Sequence, residues 1–190
     1  MTPPPARAPI PYRPEGRVIF ETPRLIGRHL VASDAEEMFA VYGDAGAMRW
    51  VGGGRPLDRD RCVRWIDVTH RNYELHGYGM TALIDRATRD VVGFCGLVHP
   101  NGQVDAELKY ALRRAWWGRG LATEAAAAML AYAESVLGLD RVIATAAPEH
   151  LVSHRVLMKA GLQRGAVRRN EDGSLTQLFA WRAGSGQNGD

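Results

Sequence analysis

Between Val104 and Ala146 the apolar residues change period twice, and this switch limits the folds open to the chain more than any other feature. Val104, Ala106, Leu108, Tyr110 and Leu112 alternate with Asp105, Glu107 and Lys109, the two-residue period of a strand with one apolar face. Glu107 is therefore expected to point away from the apolar side. Thr123 to Leu137 has the composition of a strong, alanine-rich helix, which Gly138 can terminate. Arg141 to Ala146 then returns to Val, Ile and Thr, residues that favour strands. A strand, a helix and a second strand in direct succession predict a parallel crossover.

The flanking segments fit around that unit. Leu25 to Leu30 reads as a short strand, and Ser33 with Glu36 forms a capping-box pattern opening a helix to about Tyr42. Asp58 is the expected cap of a second helix that places Cys62, Trp65, Ile66, Thr69 and Tyr73 on one face and ends near Gly77. Gly79–Asp85 and Val91–Val98 join Val104–Leu112 as three consecutive antiparallel strands, separated by turn segments at Arg86–Asp90 and Pro100–Gly102. Downstream, a helix from about Glu149 to Lys159 is stopped by Gly161, and strands at Gln163–Arg169 and Leu175–Trp181 are joined through Glu171, Asp172 and Gly173. The pattern is α/β with a mixed sheet flanked by helices.

At 190 residues, 46% of them hydrophobic, the chain has the size of one domain and enough apolar side chain for a substantial core. Six of the ten prolines fall between Pro3 and Pro14, so residues 1–16 are expected to form a proline-rich arm, 17–183 the folded body and 184–190 a flexible tail. A net charge of +3 is far below the basic footprint of a dedicated nucleic-acid binder. Two cysteines, Cys62 and Cys95, are too few for a disulfide framework and suit a reducing compartment. The longest apolar run, Ala125 to Ala133, is nine residues, short of the ~20 needed to span a membrane. A soluble, cytoplasmic protein, monomeric or homodimeric, without membrane or nucleic-acid partners, is the expectation.

The chemistry concentrates in Arg113-Arg114-Ala115-Trp116-Trp117-Gly118-Arg119-Gly120-Leu121-Ala122-Thr123-Glu124, between a strand and the strongest helix. Two glycines let the backbone approach a ligand, and the first helical turn offers unpaired N–H groups at the positive end of the macrodipole. That combination suits phosphate, and Arg113, Arg114 and Arg119 can add charge. A P-loop would need Gly-Lys followed by Ser or Thr, and a dinucleotide fingerprint a third glycine in a doubly wound sheet; both are missing.

With those residues in view, Trp117-Gly118-Arg119-Gly120-Leu121-Ala122 resembles the pyrophosphate loop of the GNAT superfamily of acetyl-CoA-dependent N-acetyltransferases, whose signature is Arg/Gln-x-x-Gly-x-Gly/Ala. The run from Trp116 to Ala125 is similar to the subgroup containing the ribosomal-protein N-terminal acetyltransferases. Glu21-Thr22-Pro23-Arg24-Leu25, Leu139-Asp140-Arg141-Val142 and Ser153-x-Arg155-Val156-Leu157-x-Lys159-x-Gly161 match that subgroup in the same order. The resemblance covers about residues 18 to 182.

It implies a mostly antiparallel central sheet splayed between the fourth and fifth of the expected strands, Val104–Leu112 and Arg141–Ala146, with acetyl-CoA in the opening. The loop from Trp117 and Gly118 through Arg119, Gly120, Leu121, Ala122 and Thr123 would take the pyrophosphate. The pantetheine arm would lie along Leu108, Tyr110 and Leu112 like an added strand. The transfer would be direct, to a primary amine on a protein N-terminus or a small molecule. The resemblance makes Glu107 the base and Ser153 the acid for the leaving thiolate, ahead of Tyr110 or Tyr132. At His150 the family has Asn, which leaves coenzyme contact and acid/base roles open for the imidazole.

His150 and His154 stand four apart, but Leu151 occupies the place where a zincin has Glu, so no metal is expected. Cys95 is expected to be a buried strand residue without a histidine partner. Trp50, Trp65, Tyr73 and Gly52–Gly54 are candidates for the acceptor side. The alternatives are an aminoglycoside-type small-molecule acetyltransferase and a non-catalytic acyl-CoA-sensing module.

Overall fold

The computed structural model describes residues 16–51 and 54–184. The expected proline-rich arm up to residue 15, the tail from 185 onward, and Gly52 and Gly53 lie outside the described residues. The chain runs β1 (Val18–Glu21), β2 (Leu25–His29), α1 (Ala35–Tyr42), α2 (Ala45–Met48), α3 (Arg59–His76), β3 (Met80–Asp85), β4 (Val91–Val98) and β5 (Ala106–Leu112). It continues with α4 (Leu121–Tyr132), β6 (Arg141–Ala146), α5 (Leu151–Lys159), β7 (Gln163–Arg169) and β8 (Leu175–Arg182). One sheet holds all eight strands in the order β1-β2-β3-β4-β5-β6-β8-β7, antiparallel at every junction except β5–β6. The mixed, mostly antiparallel sheet flanked by helices is the expected fold class.

The helices have local causes. The Asp58 side chain accepts from Arg61 N–H at 2.8 Å to open α3, and Gly77 closes it with φ 78°, a left-handed value that favours glycine. α4 continues through a π-helical turn over Ala133–Leu137 to Gly138, so the helical stretch ends where the sequence predicts. At α1 the expectation needs correction. A 3-10 turn over Ala32–Asp34 precedes the helix, and Asp34, not Ser33, accepts the Val31 N–H at 2.9 Å. Arg28 meets the same Asp34 carboxylate with two 2.7 Å hydrogen bonds, so the carboxylate is both capped and charge-paired.

Two cores sandwich the sheet. α4 and α5 cover one face, where Leu97, Leu108, Leu112 and Val142 pack against Ala125, Ala126, Met129 and Leu157. Small side chains bring α4 close to the strands; Ala125 and Ala126 have no exposed surface. α1, α2 and α3 cover the other face around Phe94, Met38, Tyr42, Met48 and Ile66. Each of the larger buried aliphatic or aromatic side chains contributes roughly 1.5–3 kcal/mol.

The reading of β5 holds for the faces and needs correction at its start. Alternation correctly puts Ala106, Leu108 and Leu112 together on the α4 face. Glu107 does face the opposite side, but that side is roofed as well, and the residue is 3% exposed. Val104, in turn, lies outside the strand and is 95% exposed. Trp65 departs in the same sense: it leaves the buried face of α3, stands 37% exposed, and meets Tyr42 edge-on at 5.3 Å.

Candidate active site

The sheet opens at its one parallel junction. β5 and β6 pair only through Ala106 with Val142 and Glu107 with Ile143, after which the strands part. The opposite edge of β5 stays paired to β4 as far as Leu112. Leu97 donates its N–H to Gly79, away from β5, so Leu97 and Leu108 form a non-hydrogen-bonded pair. The alternation that follows turns the backbone polar groups of Leu108, Tyr110 and Leu112 toward the gap. Two of these are already taken: the Leu108 N–H by the short ladder to Ile143, and the Leu112 carbonyl, which accepts from the Trp117 indole at 2.8 Å.

A cavity of about 530 Å³ occupies the opening. The loop before α4 supplies Trp116, Trp117, Gly118 and Gly120, and the first turn of α4 supplies Leu121, Ala122 and Thr123. β5 supplies Tyr110 and Leu112 together with Ala111, which belongs to the opposite face, so the cavity passes through the plane of the sheet. α5 and the residue before it supply Ser153 and His150, and the segment around α2 supplies Arg49, Trp50 and Val51. Of the residues expected to hold a coenzyme, Arg119 and Leu108 are not among the wall residues. Arg119 stacks its guanidinium on Trp116 at 4.7 Å, and Leu108 is 2% exposed in the core.

The loop itself is shaped for an anion. Gly118 and Gly120 have φ of 73° and 77°, and a Cβ built on Gly118 would meet nothing within 4 Å. Both glycines thus supply left-handed turns, and Gly118 presents its backbone to open space. Gly120 is the cap of α4, whose first amides have no intrahelical acceptor. Of the flanking arginines, Arg113 pairs with Glu37, and Arg114 lies 3.6 Å from Asp44. Those two charges are partly spent on α1 and the cap of α2.

Further into the cavity, the Tyr110 phenol and Ser153 hydroxyl are hydrogen-bonded at 2.7 Å. Burial pushes the Tyr110 phenol above its usual value, and the Ser153 hydrogen bond only partly offsets this. The phenol therefore keeps its proton at neutral pH. His150 stacks on Trp50 at 4.9 Å, and burial, with a smaller effect from His154, lowers its pKa. Nε2 of His154 is 3.0 Å from the Ala147 carbonyl and the ring is 2% exposed, so the two histidines do not converge on a common point. Among the described residues no group of three or more His, Cys, Asp or Glu is arranged to hold a metal ion.

Glu107 lies apart from the cavity wall. Its Oε1 meets Lys109 and Thr145, and its Oε2 accepts from Gln103 at 3.3 Å. Thr145 belongs to β6, so this cluster bridges the two strands where they diverge. Among the acceptor-side candidates, Trp50 lines the cavity. The Tyr73 phenol is committed to the Leu30 N–H and the Met80 carbonyl. Both cysteines are buried and free.

Sequence reasoning passed over one group of residues. Glu124, in the first turn of α4, accepts from Thr22 Oγ1 at 2.6 Å and from Arg24 Nε at 2.6 Å, and Arg24 Nη1 donates to the Arg119 carbonyl at 2.7 Å. The Thr22-Pro23-Arg24 pattern was the available signal, but nothing in its letters says that it meets residues about a hundred positions away.

Comparison with known proteins agrees with this geometry. Residues 24–163 match the acetyltransferase (GNAT) domain family. The chain is 33% identical over 162 residues to the uncharacterized N-acetyltransferase p20 of Bacillus licheniformis, covering 83% of this chain and 89% of that protein. It is 36% identical over 143 residues to the uncharacterized N-acetyltransferase YnaD of Bacillus subtilis, covering 75% and 81%. Among solved structures, the ribosomal L7/L12 α-N-protein acetyltransferase RimL in complex with coenzyme A superimposes with a TM-score of 0.74 at 12% identity, covering 87% of this chain and 98% of that one. An open sheet, a glycine loop capping α4 and these relatives identify the chain as a member of the GNAT family, an acetyltransferase that draws its acetyl group from acetyl-CoA.

Proposed function

We propose that the chain transfers the acetyl group directly to a primary amine, with both substrates held at once in the opening between β5 and β6. The cavity through the sheet carries this reading: it has an anion site at one wall, unpaired strand groups along another, and a protonated hydroxyl pair facing the same space. The residues fit the coenzyme. The amides around Gly120, Leu121, Ala122 and Thr123 bind the pyrophosphate, and the gap-facing groups of Leu108, Tyr110 and Leu112 pair with the amides of the pantetheine arm. The coenzyme complex of RimL supports this placement by shared fold.

Acetyl transfer forms an N–C bond as the C–S bond breaks, so the amine must lose a proton and the sulfur must gain one. Ser153, hydrogen-bonded to Tyr110, supplies the proton to sulfur. The gap-facing amide of Tyr110 polarises the carbonyl oxygen as charge develops on it. Glu107, on the other face of β5, bridged to Thr145 and Lys109 and set back from the cavity wall, receives the amine proton through intervening water. No enzyme nucleophile is needed, in keeping with two buried thiols. Arg49, Trp50 and His150 form the wall that the amine-bearing acceptor meets, whether that amine belongs to a protein N-terminus or to a small molecule.

Calorimetric titration with acetyl-CoA and CoA, with NAD as control, tests the first half. Saturable binding of both CoA forms and none of NAD is expected. Thiol release is then measured with N-terminal peptides and with small amines. Release with neither class, despite coenzyme binding, would defeat the assignment of a primary amine acceptor.

A further inference from the structure

The turn between β1 and β2 lies outside the cavity, yet it is bound to the cavity's anion loop and to the first turn of α4. Thr22 Oγ1 donates to Glu124 Oε1 at 2.6 Å, and Arg24 N–H reaches the same oxygen at 3.1 Å. The Arg24 guanidinium places Nε 2.6 Å and Nη2 2.5 Å from Glu124 Oε2. Its remaining arm, Nη1, donates to the Arg119 carbonyl at 2.7 Å. The turn is pinned from behind, because Arg86 donates to the Thr22 carbonyl at 2.9 Å and its own N–H reaches the Arg24 carbonyl at 2.9 Å. Arg24 also passes beneath the helix cap: a Cβ built on Gly120 would lie 3.6 Å from Nη2.

The bond to Arg119 has a directional consequence. A trans peptide points its C=O and N–H in opposite directions, so a carbonyl held outward on Arg24 obliges the Gly120 N–H to point inward. No cis peptide occurs among the described residues, and Gly120 is on the cavity wall. The Glu124 pair has an electrostatic consequence as well. A carboxylate in the first turn of α4 suits the helix dipole but opposes any second anion placed there. Burial pulls the Glu124 pKa up, but the hydrogen bonds from Thr22 and Arg24 outweigh it and hold the group ionised. Arg24 thus compensates a charge that would otherwise repel a phosphate.

We infer that Arg24 is a positioning residue for the coenzyme site, aiming the Gly120 N–H at the pyrophosphate through the Arg119 carbonyl, with Glu124 and Thr22 holding the guanidinium in place. The inference rests on the assignment of the loop to pyrophosphate made above. It makes the Thr22-Pro23-Arg24 turn part of donor recognition although none of its residues lines the cavity.

The test compares CoA with pantetheine, which lacks the pyrophosphate, by titration calorimetry on the full chain and its variants. Arg24→Ala is expected to weaken CoA by about tenfold, the loss of one charge-assisted contact, and to leave the affinity for pantetheine and the melting temperature unchanged. Arg24→Lys, which keeps the charge but not the fork, is expected to recover only part of the loss. The double variant Arg24→Ala/Glu124→Gln is expected to remain weak; full recovery there would overturn peptide orientation in favour of charge compensation alone. Equal weakening of CoA and pantetheine in Arg24→Ala would overturn the inference by showing a general structural role. If the unmodified chain binds CoA no better than pantetheine, the pyrophosphate assignment itself fails, whatever Arg24 does.

Discussion

The phenol oxygen of Tyr110 and the hydroxyl oxygen of Ser153 lie 2.7 Å apart, although 43 positions separate them in the chain. One is on β5 and the other on α5, so the pair spans the opening of the sheet. If Ser153 delivers the proton to sulfur with Tyr110 behind it, Ser153→Ala and Tyr110→Phe should each lower kcat by about 10²-fold. The double variant should lose little more than either single one, because the two act as a unit. Steady-state kinetics on the four proteins measures this; independent, multiplicative losses would separate the roles.

Gly120 has a left-handed backbone and faces the cavity. A bulky replacement such as Gly120→Trp is expected to weaken CoA binding by more than about tenfold, since a side chain fills the space the phosphate needs and strains the turn. The fold should survive, because beyond the glycine a Cβ meets only an arginine tip. Calorimetry paired with a thermal melt checks both halves, and undiminished CoA affinity would remove the loop from the site.

Glu107 is buried against Lys109, Thr145 and Gln103, so Glu107→Gln has two expected effects. Stability should fall by about 1–3 kcal/mol, because the amide faces donors where a carboxylate accepted from them. Turnover should fall further than coenzyme affinity. Adding Lys109→Met should restore stability without restoring turnover. Recovery of both would mark Glu107 as structural only.

His29 supplies a pH dependence of stability. It is 5% exposed and stacked on Tyr73 at 4.0 Å; burial, with smaller effects from Arg17 and His70, lowers its pKa from 6.5 to about 4. Between those two values the unfolded chain binds more protons than the folded one, so stability falls as the pH drops from 6.5 toward 4. The shift corresponds to a loss on the order of 3 kcal/mol. Urea midpoints across that range should show it, and His29→Gln should flatten the dependence.

The cysteines predict an insensitivity. Burial raises the Cys62 thiol and pushes Cys95 up to about 12. Iodoacetamide should leave the native enzyme active and should label both thiols only after denaturation. Acetylated enzyme isolated during turnover would contradict direct transfer.

Elements with long, regular apolar periods could be read from the letters alone. β4 runs over Val91–Val98 and β6 over Arg141–Ala146, as their composition indicates, and Asp58 and Gly77 bound α3. The four-residue β1 and α2 were missed because neither Val-Ile-Phe-Glu nor Ala-Gly-Ala-Met is long enough to show a period. Alternation fixed the faces of β5 but could not reveal that helices cover both, so the burial of Glu107 on the side away from the apolar face was not legible. The glycine loop was legible because its chemistry is local. The Tyr110–Ser153 bond, the Trp50–His150 stack and the Arg24–Glu124 clamp were not, since each joins residues whose meeting depends on the completed sheet.

Two residue pairs are the whole backbone ladder between β5 and β6, and β1–β5 and β6–β8 are otherwise separate ladders. Cohesion across this seam falls to α4 and α5, packed over it from one side. An extended ligand laid in the gap would stand in for a ninth strand, meeting polar groups that the protein leaves without a neighbour. Filling the site and completing the sheet are then a single mechanical event, and between turnovers the two halves are held by helix packing, two rungs of backbone and the side chains around Glu107 and Thr145.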